Sequence, residues 1–124
     1  AAVRPPSHAL KRHHPRLAGR PKNAGGVVLR RPATVDKLQS PFAVNHLGCF
    51  ILVHELAELL RASAPARVVV VASEAHQRVS DPEDWLSVRG YNGRTAYNRS
   101  KLANVIFSYD SAHRLEGTGG TVNC

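Results

Sequence analysis

At 124 residues the chain suits one domain or part of one, and its 43% hydrophobic content is compatible with a packed core. Its formal charge of +8 is concentrated at one end: residues 1–33 hold eight Lys or Arg, three His, five Pro and no acid, whereas residues 34–124 hold nine basic and nine acidic side chains. Two distant cysteines, Cys49 and Cys124, exclude a disulfide framework, no His, Cys or acid spacing suits a metal, and neither a run of about 18 apolar residues nor an apolar leader points to a spanning or secreted chain.

In chain order, "RPPSHALKRHHPRLAGRPK" comes first, basic and broken by prolines, with too little apolar surface to offset the entropy of ordering it. Disorder is the expectation for residues 1–33. Such a segment can adhere to nucleic acid or to an anionic membrane surface through charge alone. No aromatic precedes Phe42 and no docking motif is present, so no specific nucleic-acid partner is expected. "TVDKLQ" then offers a helix start capped by Thr34 or Asp36, and Pro41 makes that piece short or kinked.

From 42 to 63, Val44, Leu47, Ile51, Leu52, Leu56 and Leu60 mark a long helix with a wide apolar face, ended by "SAPA". Glu55 and Glu58 read as solvated. "RVVVVAS", 67–73, reads as a strand covered on both faces. Residues 74–94 form a polar connection too long to be structureless unless it covers a site. A second helix is predicted over about Ala96 to Leu115, with Gly117 placed to end it, and "GGTVNC" begins another strand. Strand and helix alternate as in an α/β fold, a partial Rossmann-like doubly wound parallel sheet over 34–124.

Within the second helix, "TAYNRSKLANVIF" sets Tyr97 and Lys101 four residues apart, hence neighbours on one face. A phenol is a weak base near neutral pH, and a fixed positive charge beside it favours the phenolate. The pair can therefore exchange a proton with an alcohol or carbonyl. Read alone, Ser73 is a strand-end hydroxyl that caps local backbone. Read alone, Asn45, between Val44 and Leu47, is a satisfied or helix-distorting polar group.

Four stretches in order, "FAVNHLGCFILV", "SAPARVVVVASEAH", "AYNRSKLANVIFS" and "RLEGTGGTVN", resemble the short-chain dehydrogenases/reductases, closest to the branch of retinol dehydrogenases and the WW-domain-containing oxidoreductase. The resemblance implies that Tyr97 is the acid/base residue, that Lys101 supports it and bonds the ribose of NAD or NADP, and that Ser73 holds the substrate oxygen. It implies that Asn45 positions a water linking Lys101 to bulk. Asn23, Ala24 and Gly25 are similar to the end of the family's Asn-Asn-Ala-Gly motif beside the adenine pocket, with Lys22 in place of the first Asn. The family's Gly-x-x-x-Gly-x-Gly turn, which cradles the pyrophosphate, occurs nowhere in the chain, and apart from residues 23–25 the segment before Thr34 lies outside the resemblance.

The implied activity is alcohol/carbonyl interconversion on a lipophilic substrate such as a retinoid or steroid. The site is incomplete in this chain, which is expected to turn over weakly by itself. The implied setting is the cytoplasm or the periphery of an intracellular membrane. The rival reading is a non-enzymatic interaction module that pairs through the 42–63 helix or acts through its basic arm.

Overall fold

In the computed structural model, residues 4–17, 19–22, 25–29, 38 and 40–124 are described. Helix α1 (Arg4–His13) and strand β1 (Gly19–Lys22) lie within the segment expected to be disordered. Both elements meet partners elsewhere in the chain. β1 pairs in parallel with β2 (Arg67–Val70), Gly19 opposite Arg67 and Lys22 opposite Val70. α1 docks on the next long helix, where Leu10 and Leu17 pack against the core and His8 and Lys11 approach Glu55 at 3.7 Å each. Glu55 is therefore covered by α1, whereas Glu58 forms an exposed pair with Arg61 on the same helix.

The proposed cap at Thr34 or Asp36 lies outside the described residues. Helix α2 (Ser40–Phe42), a π-helical turn (Ala43–Leu47) and helix α3 (Gly48–Ala62) continue into one another. The predicted helix is thus present, with its irregularity a turn later than Pro41. By length and mean hydropathy, 1.3, the 23-residue run Ser40–Ala62 would reach across a bilayer, which uninterrupted apolar runs did not suggest. Here one stripe of it, Cys49, Leu52, Leu56 and Leu60, enters the core with Val68 and Val70 of β2 and Phe107. Full burial of a Leu stabilises by about 1.5–3 kcal/mol.

Among the described residues, only one face of β2 is covered. Val68 and Val70 are 3% and 1% exposed while Val69 is 41% exposed, so the two-sided burial predicted for "RVVVVAS" is not found. The reason is that α3 and α4 (Gly93–Arg114) touch each other, Phe50 to Phe107 at 5.5 Å between rings, and so share a face. Strand β3 (Thr121–Asn123) completes a parallel sheet in the order β1-β2-β3, confirming the predicted α/β, partial Rossmann-like architecture. Gly117, at φ +74°, follows the end of α4 in the left-handed region that favours glycine.

The long connection after β2 is structured. Ser73 caps a 3₁₀ turn, Glu74–Arg78, and residues 80–89 are then fastened to α4 by one side chain. Arg99, 5% exposed, donates to the carbonyls of Asp81 (3.1 Å) and Ser80 (3.4 Å) and to Ser87 Oγ (2.9 Å), with Asp84 at 3.6 Å. Asp84 in turn accepts from the Val88 and Arg89 amides, and those bonds, Val88 foremost, hold its carboxyl below the usual range.

Candidate active site

β2 ends at Val70, so the Val71 carbonyl and the Ser73 hydroxyl stand past the carboxyl end of the central strand. Open α/β sheets bind ligands at that end. α4 brings its side chains there because it begins three residues before the predicted Ala96. Asn92 Oδ1 accepts from the Arg94 and Thr95 amides at 3.0 and 3.2 Å and caps the first turn. Gly93 is required at this point, since a Cβ would collide with the Val28 carbonyl, to which Tyr91 also donates its phenol proton. Burial pushes the Tyr91 phenol up from its ordinary value.

The structure brings Tyr97 and Lys101 together as their spacing predicts. Lys101 Nζ lies 5.6 Å from the centre of the Tyr97 ring and donates to Val71 O at 2.9 Å. Lys101 is 7% exposed, an ammonium fixed against a carbonyl rather than a solvated surface charge. Among the described residues no hydrogen bond joins Tyr97 Oη to Ser73 Oγ or to Lys101 Nζ. Ser73 occupies the place expected, at the strand end, and performs the local task that its residue type suggests: Oγ accepts from the Ala75 amide at 3.3 Å, and its carbonyl accepts from His76 Nδ1 at 2.6 Å. Its hydroxyl proton is left to donate outward.

Asn45 sits in the π-helical turn, 3% exposed, and is satisfied by protein groups. Its Oδ1 accepts from the Gly26 amide and its Nδ2 donates to Gly26 O, both at 3.0 Å, and Nδ2 also reaches Ser100 Oγ at 3.1 Å. π-Turns of this kind often mark functional positions. Gly25 borders this contact. A Cβ there would come 2.8 Å from Asn45 Oδ1, so the absence of a side chain is what lets Asn45 close on the segment following β1. Asn23 and Ala24, the other two residues implied for the adenine side, lie outside the described residues.

Sequence reading missed Asn104. It lies three residues past Lys101 and seven past Tyr97, on the same face of α4, and the helical period would have found it had the pattern been followed one turn further. Its Nδ2 donates to Asn45 O at 3.0 Å and to Val71 O at 3.4 Å, and its Oδ1 is 3.1 Å from His46 Nδ1. His46 is half-buried, and that burial outweighs its bond to Asn104 and lowers its imidazole from the ordinary value. Arg99 and Gly93 were missed as well, because each acts on backbone distant in sequence.

For a nicotinamide dinucleotide, the donor set fits at one end. Lys101 has one N–H on Val71 O and two more to offer a diol. At the pyrophosphate end, the chain holds no glycine-rich turn.

No family model matches the chain. It is 42% identical over 123 residues to mouse retinol dehydrogenase 14, a match covering 98% of this chain and 37% of that protein. It is 46% identical over 99 residues to the chicken WW domain-containing oxidoreductase, covering 73% of this chain and 24% of that protein. Among solved structures, an RhlG/NADP active-site complex from Pseudomonas aeruginosa superposes with a TM-score of 0.71 at 27% identity, over 95% of this chain and 44% of that one. The chain thus spans about a third or less of the curated relatives it matches. The mouse match also runs through the basic N-terminal segment, which sequence reading had set outside the resemblance.

Proposed function

The chain belongs to the short-chain dehydrogenase/reductase family, and we propose that it carries the proton-handling part of an NAD(P)-dependent oxidoreductase that interconverts an alcohol and a carbonyl on a lipophilic substrate such as a retinoid or steroid. The observation that supports this reading is the Lys101 ammonium, held by Val71 O and poised over the Tyr97 ring at the carboxyl end of β2. Tyr97 Oη gives a proton to the substrate oxygen in reduction and takes one in oxidation, a role worth about 10²–10⁴ in rate. Lys101 offsets the negative charge that Tyr97 Oη carries after releasing its proton. Ser73 Oγ–H holds the substrate oxygen in place.

Lys101, through its two remaining N–H groups, is the group that would hold the ribose of NAD or NADP, with Gly25 on the adenine side. When bound, that cofactor supplies or accepts the hydride. Positioning contributes much of an enzyme's rate, so this chain by itself, without a glycine-rich cradle, is expected to turn over slowly. A lipophilic substrate also suits work at the periphery of an intracellular membrane.

A second reading is an interaction module that pairs through its helices. Phe50 of α3 and Ile106 of α4, 43% and 51% exposed on the shared face, favour it. Thermal unfolding separates the two, because a ligand that binds only the folded state raises Tm by mass action. With increasing NADH or NADPH, the wild-type Tm should rise, Tyr97→Phe should keep that rise, and Lys101→Leu should lose it. A flat wild-type response to both nucleotides would overturn the oxidoreductase reading of this chain and leave the interaction module.

A further inference from the structure

Asn104 is 3% exposed, and each polar atom of its side chain faces a partner whose chemistry is fixed. On one side stand two carbonyl oxygens, Asn45 O at 3.0 Å and Val71 O at 3.4 Å, which can only accept, so the amide NH₂ must face them. Oδ1 is thereby turned to His46 Nδ1 at 3.1 Å, and the imidazole must carry its proton on that nitrogen. One side chain joins the π-helical turn, the end of β2 and α4. Val71 lies just beyond the last ladder pair of β2, Lys22 with Val70 on one side and Val69 with Asn123 on the other. Among the described residues, no ladder pair includes Val71. Among the described residues, the groups that bond this oxygen are Lys101 Nζ and Asn104 Nδ2.

We propose that Asn104, oriented by His46, is a positioning residue for the Lys101 ammonium: by tying Val71 O to Asn45 O it keeps that carbonyl turned toward Nζ and so keeps the charge over Tyr97. The proposal rests on the oxidoreductase reading for its meaning, since a placed ammonium matters only if Tyr97 handles a proton. Its geometry stands independently. A Lys side chain has four rotatable bonds and loses about 1.5–2 kcal/mol of rotamer freedom when fixed, so one carbonyl free to swing would not hold it. An Asn that merely filled space could be replaced by Leu of similar shape without consequence at Nζ. An Asn that orients the carbonyl could not.

The chain has four lysines, Lys11, Lys22, Lys37 and Lys101, so ¹⁵N-lysine labelling gives a readable spectrum of the ammonium groups. In the full 124-residue chain, at mildly acidic pH and low temperature, one slowly exchanging ammonium signal is expected, absent in Lys101→Gln. In Asn104→Leu, with far-UV circular dichroism unchanged, that signal should exchange at least about fivefold faster, the factor for one lost hydrogen bond, or vanish. His46→Leu should weaken it, and His46→Gln, whose amide can still donate to Oδ1, should restore it. If Asn104→Leu does not fold, the two His46 variants decide, because their site is half-exposed. A persistent Lys101 signal in folded Asn104→Leu, identical behaviour of the two His46 variants, or no protected Lys101 signal in the wild type would each overturn the proposal. No nucleotide enters this measurement. A flat Tm response to NADH and NADPH with the Asn104 effect intact would remove the enzymatic reading alone, and the reverse pattern would remove this proposal alone.

Discussion

Helices α3 and α4 lie side by side on one face of the sheet and are held there by different chemistry. α3 buries carbon, with Cys49, Leu52, Leu56 and Leu60 against Val68 and Val70. α4 buries Asn98, Arg99, Ser100, Lys101, Asn104 and Ser108, residues whose isolated burial would destabilise the fold. The cost is offset because every one has a partner. No buried side-chain nitrogen or oxygen among the described residues is left without a hydrogen bond. An apolar stripe tolerates sliding, whereas a row of directional bonds sets each atom. The helix carrying the site is thus placed largely by polar contacts and its neighbour by volume.

Three changes break or sharpen that contrast. Leu56→Ala, at 2% exposure, should cost about 2–5 kcal/mol of global stability in chemical denaturation and lower hydrogen-exchange protection throughout the sheet. A loss below 1 kcal/mol would mean that α3 does not anchor the core. Arg99→Leu leaves the Ser87 hydroxyl and the Asp81 and Ser80 carbonyls without their donor, at about 1–3 kcal/mol per buried group that water fails to reach. The effect should be local: amides of 80–89 lose protection while α3 keeps its own. Uniform loss across both helices would show that α4 is not held residue by residue.

The smallest effect is that of pH at His46. Burial lowers its folded-state imidazole, so the unfolded chain takes up the proton first as pH falls. The stability linked to this group is complete above the ordinary imidazole range and is lost as pH drops through that range toward the lowered folded value. His46→Gln should flatten this part of the Tm profile. A profile unchanged in His46→Gln would show that its burial has no energetic weight.

The two long helices, the central strand and the pairing of Tyr97 with Lys101 were readable from the chain, since a 3.6-residue period and a β-branched run are local properties. Arg99 was readable as residue type only. Its local sequence carries no sign of its task, yet it fastens the loop, because its partners at 80–87 come close only once α4 has docked. Ser73 keeps its local capping role in the structure, a role in which Oγ accepts and its own proton is not used.

What sequence alone determined is therefore whatever depends on neighbours within a turn or two: element type, the shared face of Tyr97, Lys101 and Asn104, and the family likeness that those motifs carry. Tertiary structure decided the rest. "GRPK" became a strand only because β2 offered its backbone a parallel partner, and only one face of β2 was covered because α3 and α4 chose the same side. Asn104 gained a role because two carbonyls from distant segments converged on it. The physical reason is that backbone donors and acceptors are the same in every residue, so which of them meet is fixed by long-range closure and is not written in any side chain nearby.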